Sequence, residues 1–233
     1  MRGRDIAVAA LVGALLGLIA IVVVAFLVRA NILTPAKQSQ SEHGTLVALV
    51  LPAEDGVQVP RVVLYYPPGT AAPTVVDPSV EASVQGTSAN RLADAYSFGG
   101  GAGLARAYAE LEKMPTPVWI VIDAPTWTKL AEKDRYNVTL AQQVDVFNGV
   151  DLVSFPTGDV SVNASDTVAL LQGADHLVKT ERAGVLSAVA VALQDMLAAR
   201  AAAVSPVTDA KESEYAAWSA TLVKRPVPQS DLR

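Results

Sequence analysis

The sequence predicts an α/β domain, a central mixed sheet flanked by helices, preceded by one transmembrane helix. Three observations carry this. Strand-like and helix-like segments alternate through residues 45–204. Several strand candidates are continuous apolar runs, the pattern of strands buried on both faces. One charge-free run, Ile6–Val28, is 23 residues long. As a helix it spans about 34 Å, against a hydrocarbon core of about 30 Å.

That run explains a mean hydropathy of +0.32 in a chain that is only 18% charged. It exceeds the roughly 7–15 apolar residues of a signal peptide, so it reads as an uncleaved anchor rather than a cleaved signal. Arg2 and Arg4 precede it, which favours a cytoplasmic N-terminus and a C-terminal domain outside the cytoplasm. The expected organisation is a cytoplasmic head at 1–5, the anchor at 6–28, a polar tether at 29–44, the α/β domain at 45–204, and a polar tail at 205–233. Beyond residue 28 the chain carries 16 basic and 22 acidic residues, net −6.

The elements follow in order. Thr45–Leu51 is an apolar run and a buried strand. Glu54-Asp55-Gly56 is a hairpin turn, and Val57–Tyr66 is the returning strand. Pro60 belongs at an edge or a bulge of that strand, because it has no N–H for a ladder. Pro67-Pro68-Gly69 stops it. Residues 70–90 lack a period and read as loop with about one helical turn. Gly99-Gly100-Gly101-Ala102-Gly103 reads as a turn into a helix over Leu104–Met114. There Leu104, Ala107, Tyr108 and Leu111 make one apolar stripe. Val118–Asp123 is a buried strand, and Pro125–Lys133 is a helix with proline in its first turn. Asn137–Phe147 and Val150–Phe155 are shorter strands. Val160–Gln172 is a strand end, a cap at Asn163 or Ser165, and a helix. Thr180–Ala203 is a long Ala/Val/Leu-rich helix, ended by Ser205-Pro206.

Composition excludes several functions. Eighteen basic residues against 23 acidic give a net charge of −5. A nucleic-acid binder needs a basic face instead, so no nucleic-acid partner is expected. The absence of cysteine removes disulfides, thiol nucleophiles and Cys-based metal sites. His43 and His176 have no metal-ligand spacing, and no metal site is assigned. There is no G-x-S-x-G for a serine hydrolase. Gly99, Gly101 and Gly103 make G-x-G-x-G rather than the G-x-G-x-x-G of a dinucleotide turn. The helix start behind them has unpaired N–H groups suited to an anion. Glu54 and Asp55 solubilise a turn. Asn137-Val138-Thr139 and Asn163-Ala164-Ser165 match glycan acceptor patterns. Arg61, Arg91, Lys179 and Arg182 lie nearest to loops or helix starts. They could converge on a pyrophosphate or make surface ion pairs.

Read together, these segments resemble the extracytoplasmic domain of the LytR-CpsA-Psr (LCP) family. Arg91-Leu92-Ala93-Asp94-Ala95-Tyr96-Ser97-Phe98-Gly99-Gly100 is similar to the family's KINAAYAYGG segment. Pro117–Asp123 with Trp127-Thr128-Lys129-Leu130 is similar to PIDYYVVVDFDGFKKLVD. The hairpin over 45–67 resembles the family's opening strand pair. Val162–Leu171 resembles LDGEQALAYV, and Lys179-Thr180-Glu181-Arg182 resembles RIERQ. The likeness covers residues 44–197.

The resemblance implies a protein of the cell envelope that handles polyprenyl-pyrophosphate-linked glycopolymer. Its lipid chain would lie between sheet and helices, and the long helix either lines that pocket or simply packs the core. Pyrophosphate binding would fall to Arg91, Lys179 and Arg182, with no catalytic residue assigned. The chain departs from the family where its charges act. The family's SIPRDT falls at Tyr65-Tyr66-Pro67-Pro68-Gly69-Thr70. The acid before the first strand falls at Gly44, and the Arg-x-Arg at Gln172-Gly173-Ala174. Transferase activity is therefore expected to be reduced or absent, and Mg²⁺ is expected only if it survives. The other reading is a non-catalytic structural or interaction module with no small ligand.

Overall fold

In the computed structural model the described residues are 43–223 without 70–71, 85, 132–134 and 148–150. The head at 1–5, the anchor at 6–28, the tether up to residue 42 and the end of the tail at 224–233 lie outside them. Five strands form one sheet: β1 (Thr45–Pro52), β2 (Gln58–Tyr66), β3 (Thr74–Val76), β4 (Val118–Ile122) and β9 (Val207–Thr208). Their order is β3-β2-β1-β4-β9. Only β1 and β4 run parallel, so the sheet is mixed, as expected.

β1 is central, and its apolar run is used on both sides. Val47, Leu49 and Leu51 face one core, while Leu46, Ala48 and Val50 face the other. The hairpin turns at Gly56, where φ is +80°, and Asp55 Oδ1 accepts from the Val57 N–H at 3.0 Å. The β1–β2 register slips by one residue: Leu49 pairs with Val62, but Val50 pairs with Pro60. Arg61 is the extra residue of a bulge, and Pro60 sits beside it, where a missing N–H is tolerated. The expected loop over 70–90 contains β3, which pairs Thr74–Val76 with Tyr65–Val63.

On one face lies α1 (Leu92–Glu112). The sequence placed the glycine run ahead of this helix, and the structure puts it inside. The helix starts at Leu92 and breaks only at Gly100 (φ 57°, ψ −150°). That conformation is nearly glycine-only. Beyond the break, Gly101 passes under the Trp119 ring so closely that a Cβ would collide with it.

The other face carries α2 (Ala124–Ala131), α3 (Ala164–Ala174), α4 (Lys179–Arg200), a 3₁₀ turn (Ala201–Ala203) and α5 (Glu212–Val223). It also carries two ribbons. The expected strand over 137–147 is split between β5 (Tyr136–Leu140) and β6 (Val144–Phe147). β5 pairs with β8 (Gly158–Val162), and β6 pairs with β7 (Leu152–Phe155). α4 is apolar and long enough to cross a membrane by length and composition, but it buries Val185, Val189, Leu193 and Leu197 in this core. Of the expected polar tail, β9 joins β4, and α5 buries Ser219 and Leu222. Trp218 of α5 meets Tyr66 edge-on, with ring centroids 5.7 Å apart.

Candidate functional site

Two of the three expected phosphate-binding cations meet at one loop. β3 ends at Val76, and Asp77-Pro78-Ser79 follows. Asp77 Oδ1 accepts from the Ser79 N–H at 2.8 Å and from Ser79 Oγ at 2.7 Å. Arg182, in the first turn of α4, donates from Nη2 to the same Ser79 Oγ at 2.8 Å. Burial pushes the Asp77 carboxyl up. The two bonds from Ser79 and the positive charges of Arg182 and Lys179 outweigh it and hold the group below the ordinary carboxylate value. The first turn of α1 clamps this loop from the other side. Leu92 N–H donates to Val80 O at 2.9 Å, and Ala93 N–H donates to Pro78 O at 2.8 Å.

Arg91 reaches the loop by its backbone, in a bridge with Glu81. Its guanidinium turns instead to Asp94, donating from Nε at 3.1 Å and from Nη2 at 2.7 Å. Arg61 is used differently again. The bulge directs it inward, where it is 7% exposed, pairs with Asp175 at 2.8 Å and donates to Leu171 O. A buried guanidinium requires such partners. Arg61, Arg91 and Arg182 thus all have partners within the protein, and Lys179 acts on Asp77 through its charge. His176 pairs with Glu54 at 2.6 Å, linking the end of α3 to the β1–β2 turn.

The positions where the resemblance places missing family charges differ in their surroundings: Pro68 and Gly69 are exposed, Gln172 is half-buried, and Gly44 and Ala174 are buried. Gly44 is buried, and a Cβ there would lie 2.5 Å from Tyr65 Oη. Of the two arginine positions in the Arg-x-Arg pattern, Ala174 is fully buried, and Gln172 is half-buried and donates from Nε2 to Pro52 O at 3.4 Å. Gly69 takes a φ of +72°. Among the described residues no group of three or more His, Asp or Glu side chains is placed to hold a metal.

A cleft of about 560 Å³ lies elsewhere, lined by Leu51, Ala124, Trp127, Thr128, Asn163, Ala164, Ser165 and Val168. None of Arg91, Lys179 and Arg182 lines it. It opens where β1 and β4 end, between the starts of α2 and α3. Both starts are capped. Asp123 Oδ1 accepts from Thr126 N–H at 2.9 Å. Asn163 and Asp166 form a reciprocal capping box at 2.8 and 3.1 Å. Trp127 is 1% exposed and meets Tyr136 edge-on at 5.7 Å. Its indole N–H has no acceptor. The sequence pointed to Asn163 only as a cap and to Trp127 only within a motif. The available signal was their position just after strand ends, where open α/β sheets leave crevices.

No protein-family model matches the chain, and no curated protein matches it. Solved structures do match. A putative transcription regulator from Eubacterium siraeum is 17% identical with a TM-score of 0.54, over 77% of this chain and 76% of that one. The LytR-Csp2A-Psr enzyme from Actinomyces oris is 12% identical with a TM-score of 0.53, over 78% of each chain. TagT bound to LI-WTA is 9% identical with a TM-score of 0.51, over 82% of this chain and 78% of that one. At these identities the likeness is one of fold. The chain has a divergent LCP-like α/β fold.

Proposed function

We propose that this chain is a membrane-anchored, extracytoplasmic LCP-like protein of the cell envelope. It binds lipid-linked or wall glycopolymer, and its transferase activity is reduced or absent. The observation that carries the binding half is the gathering of Lys179 and Arg182, from the start of α4, on the Asp77–Ser79 loop at the sheet edge. Two cations at a helix start beside a hydroxyl suit a phosphate oxygen. A structural relative, TagT, is bound to LI-WTA. The replaced charges support the loss of transfer. Pro68, Gly69, Gln172 and Ala174 stand where the family's pattern has arginine and aspartate, and Gly44 where it has an acid, so none supplies a charge to a phosphate or a metal. Each charge-assisted bond to a ligand is worth about 1.5–3 kcal/mol. Several missing bonds leave little to stabilise phosphoryl transfer.

The test is native mass spectrometry of the full chain extracted in detergent, alongside a transfer assay with and without Mg²⁺. The expected result is a co-purifying polyprenyl phosphate or pyrophosphate, lost in Arg182→Gln with Lys179→Gln, and no turnover. Sustained Mg²⁺-dependent turnover would overturn the reduced activity. A second reading, an envelope interaction module with no small ligand, is favoured by one observation. Arg91 is committed to Asp94, and the cleft is not lined by the three cations. Absence of any lipid phosphate from the wild-type spectrum would decide for it.

A further inference from the structure

One acid sits inside the cationic loop. Ser79 Oγ donates to Asp77 Oδ1 at 2.7 Å and accepts from Arg182 Nη2 at 2.8 Å. The Ser79 N–H also donates to Asp77 Oδ1, at 2.8 Å. The hydroxyl hydrogen is thereby spent on Asp77, and one guanidinium hydrogen on Ser79. A guanidinium carries five N–H donors and an ammonium three. The donors left on Arg182 and Lys179 are what a ligand phosphate would meet. The Asp77 carboxylate shares the same half-buried loop. Its charge is coupled to theirs, since Arg182 and Lys179 both help to hold the carboxyl below its ordinary value.

The charges decide which phosphate fits. Lys179 and Arg182 are each singly positive and Asp77 is singly negative, so the cluster keeps one net positive charge. Arg91 adds none, because Asp94 pairs with it at 2.7 Å. Glu81 and Glu181 are exposed, where solvent and salt screen them. A phosphate diester carries a single negative charge and balances the cluster. A terminal phosphate monoester carries about −1.5 to −2 at pH 7. It overshoots the balance, and each added charge meets the repulsion of Asp77.

We propose that Asp77 is the specificity-determining residue of this loop: its carboxylate offsets one of the two cations, so the site takes a phosphate diester in preference to a terminal phosphate. The inference rests on Lys179 and Arg182 being a phosphate site. The diester can be the internal linkage of a polymer or the sugar-bearing diphosphate of a carrier lipid, in which each phosphorus also bears a single charge. A carrier stripped of its sugar ends in a terminal phosphate, which Asp77 disfavours.

The experiment is an NMR titration of the ¹⁵N-labelled full chain in detergent micelles at neutral pH, read at the Ser79 and Arg182 amides. The probes form two matched pairs. Diglycerol phosphate is set against glycerol 3-phosphate, and geranyl diphosphoglucose against geranyl diphosphate. Wild type should bind a diester with a dissociation constant of about 1 mM, and at least about twofold more tightly than its terminal-phosphate counterpart. Response to diglycerol phosphate alone assigns the diester to a polymer linkage, and response to geranyl diphosphoglucose alone to a carrier lipid. Asp77→Asn keeps an oxygen to accept from Ser79 and removes the charge. It should tighten terminal phosphates about tenfold and diesters only about two- to threefold, so that the preference inverts. Lys179→Gln with Arg182→Gln should abolish the response to every probe. Binding of no probe at about 10 mM, or binding that survives the double substitution, would overturn the phosphate site and this inference with it. Binding by wild type that is equal or tighter for the terminal phosphates would overturn the inference alone, whatever the variant does. So would an Asp77→Asn variant whose ratio between the members of each pair is unchanged.

Discussion

Arg61 occupies the one place where β2 gains a residue on β1, and the bulge turns a strand position into a strut between the sheet and the end of α3. The sequence marked Pro60 for a bulge or an edge, but not where its neighbour would go. The partners, Leu171 and Asp175, lie more than a hundred residues away, and no local pattern encodes such a contact. Asp77 and Ser79 were hidden for the same reason. They sit in an aperiodic stretch, and Arg182 arrives from 103 residues on. Arg91, Lys179 and Arg182 were legible as cations at helix starts, but not the acids that share them. At this scale His176 makes a pH prediction. Its bond to Glu54, and the charge of that carboxylate, raise its pKa above 6.5. Stabilisation by the pair is therefore complete below the ordinary value and is lost as pH rises through the raised one. Unfolding midpoints of wild type and His176→Gln should differ at pH 6 and converge as pH rises through the raised pKa. A difference that stays constant with pH would count against the pair.

Among the elements, β1, β2 and β4 were readable because each is a long apolar run, and the runs survive burial on both sides. β3 and β9 are only 3 and 2 residues long and carry no period of their own. They exist because a longer neighbour offers them a free edge. α1 was misread for a different reason. Four glycines in five residues argue against a helix interior. Here tertiary packing overrides propensity. Gly101 lets the helix close on Trp119, and Gly103 lets it fold back over the Ala95 carbonyl. Gly100 absorbs the break. Gly100→Ala should therefore cost about 1–3 kcal/mol in chemical denaturation, because its backbone angles are strained for any residue with a Cβ. Gly99→Ala has open space around its Cβ and should be neutral or stabilising by a few tenths of that. Equal effects from the two substitutions would refute the kink as the reason for glycine at 100.

For the whole molecule, composition announced two unlike parts, an apolar 23-residue run and an acidic domain. The full chain should stay in the membrane fraction through an alkaline carbonate wash, and a chain lacking residues 6–28 should be released. Release of both would rule out the anchor. The α/β class and its mixed sheet were legible from alternation. The cleft was not, because a hollow is defined by what several elements fail to fill, and no single segment of sequence records that. The place where the domain begins has a mechanical consequence. The first strand after residue 44 is the middle one, hydrogen-bonded to β2 on one side and β4 on the other. A tug on the chain ahead of it cannot peel an outer strand away. Two ladders must shear together, so a domain hung from its N-terminus would hold against strain on its leash far better than one suspended from an edge.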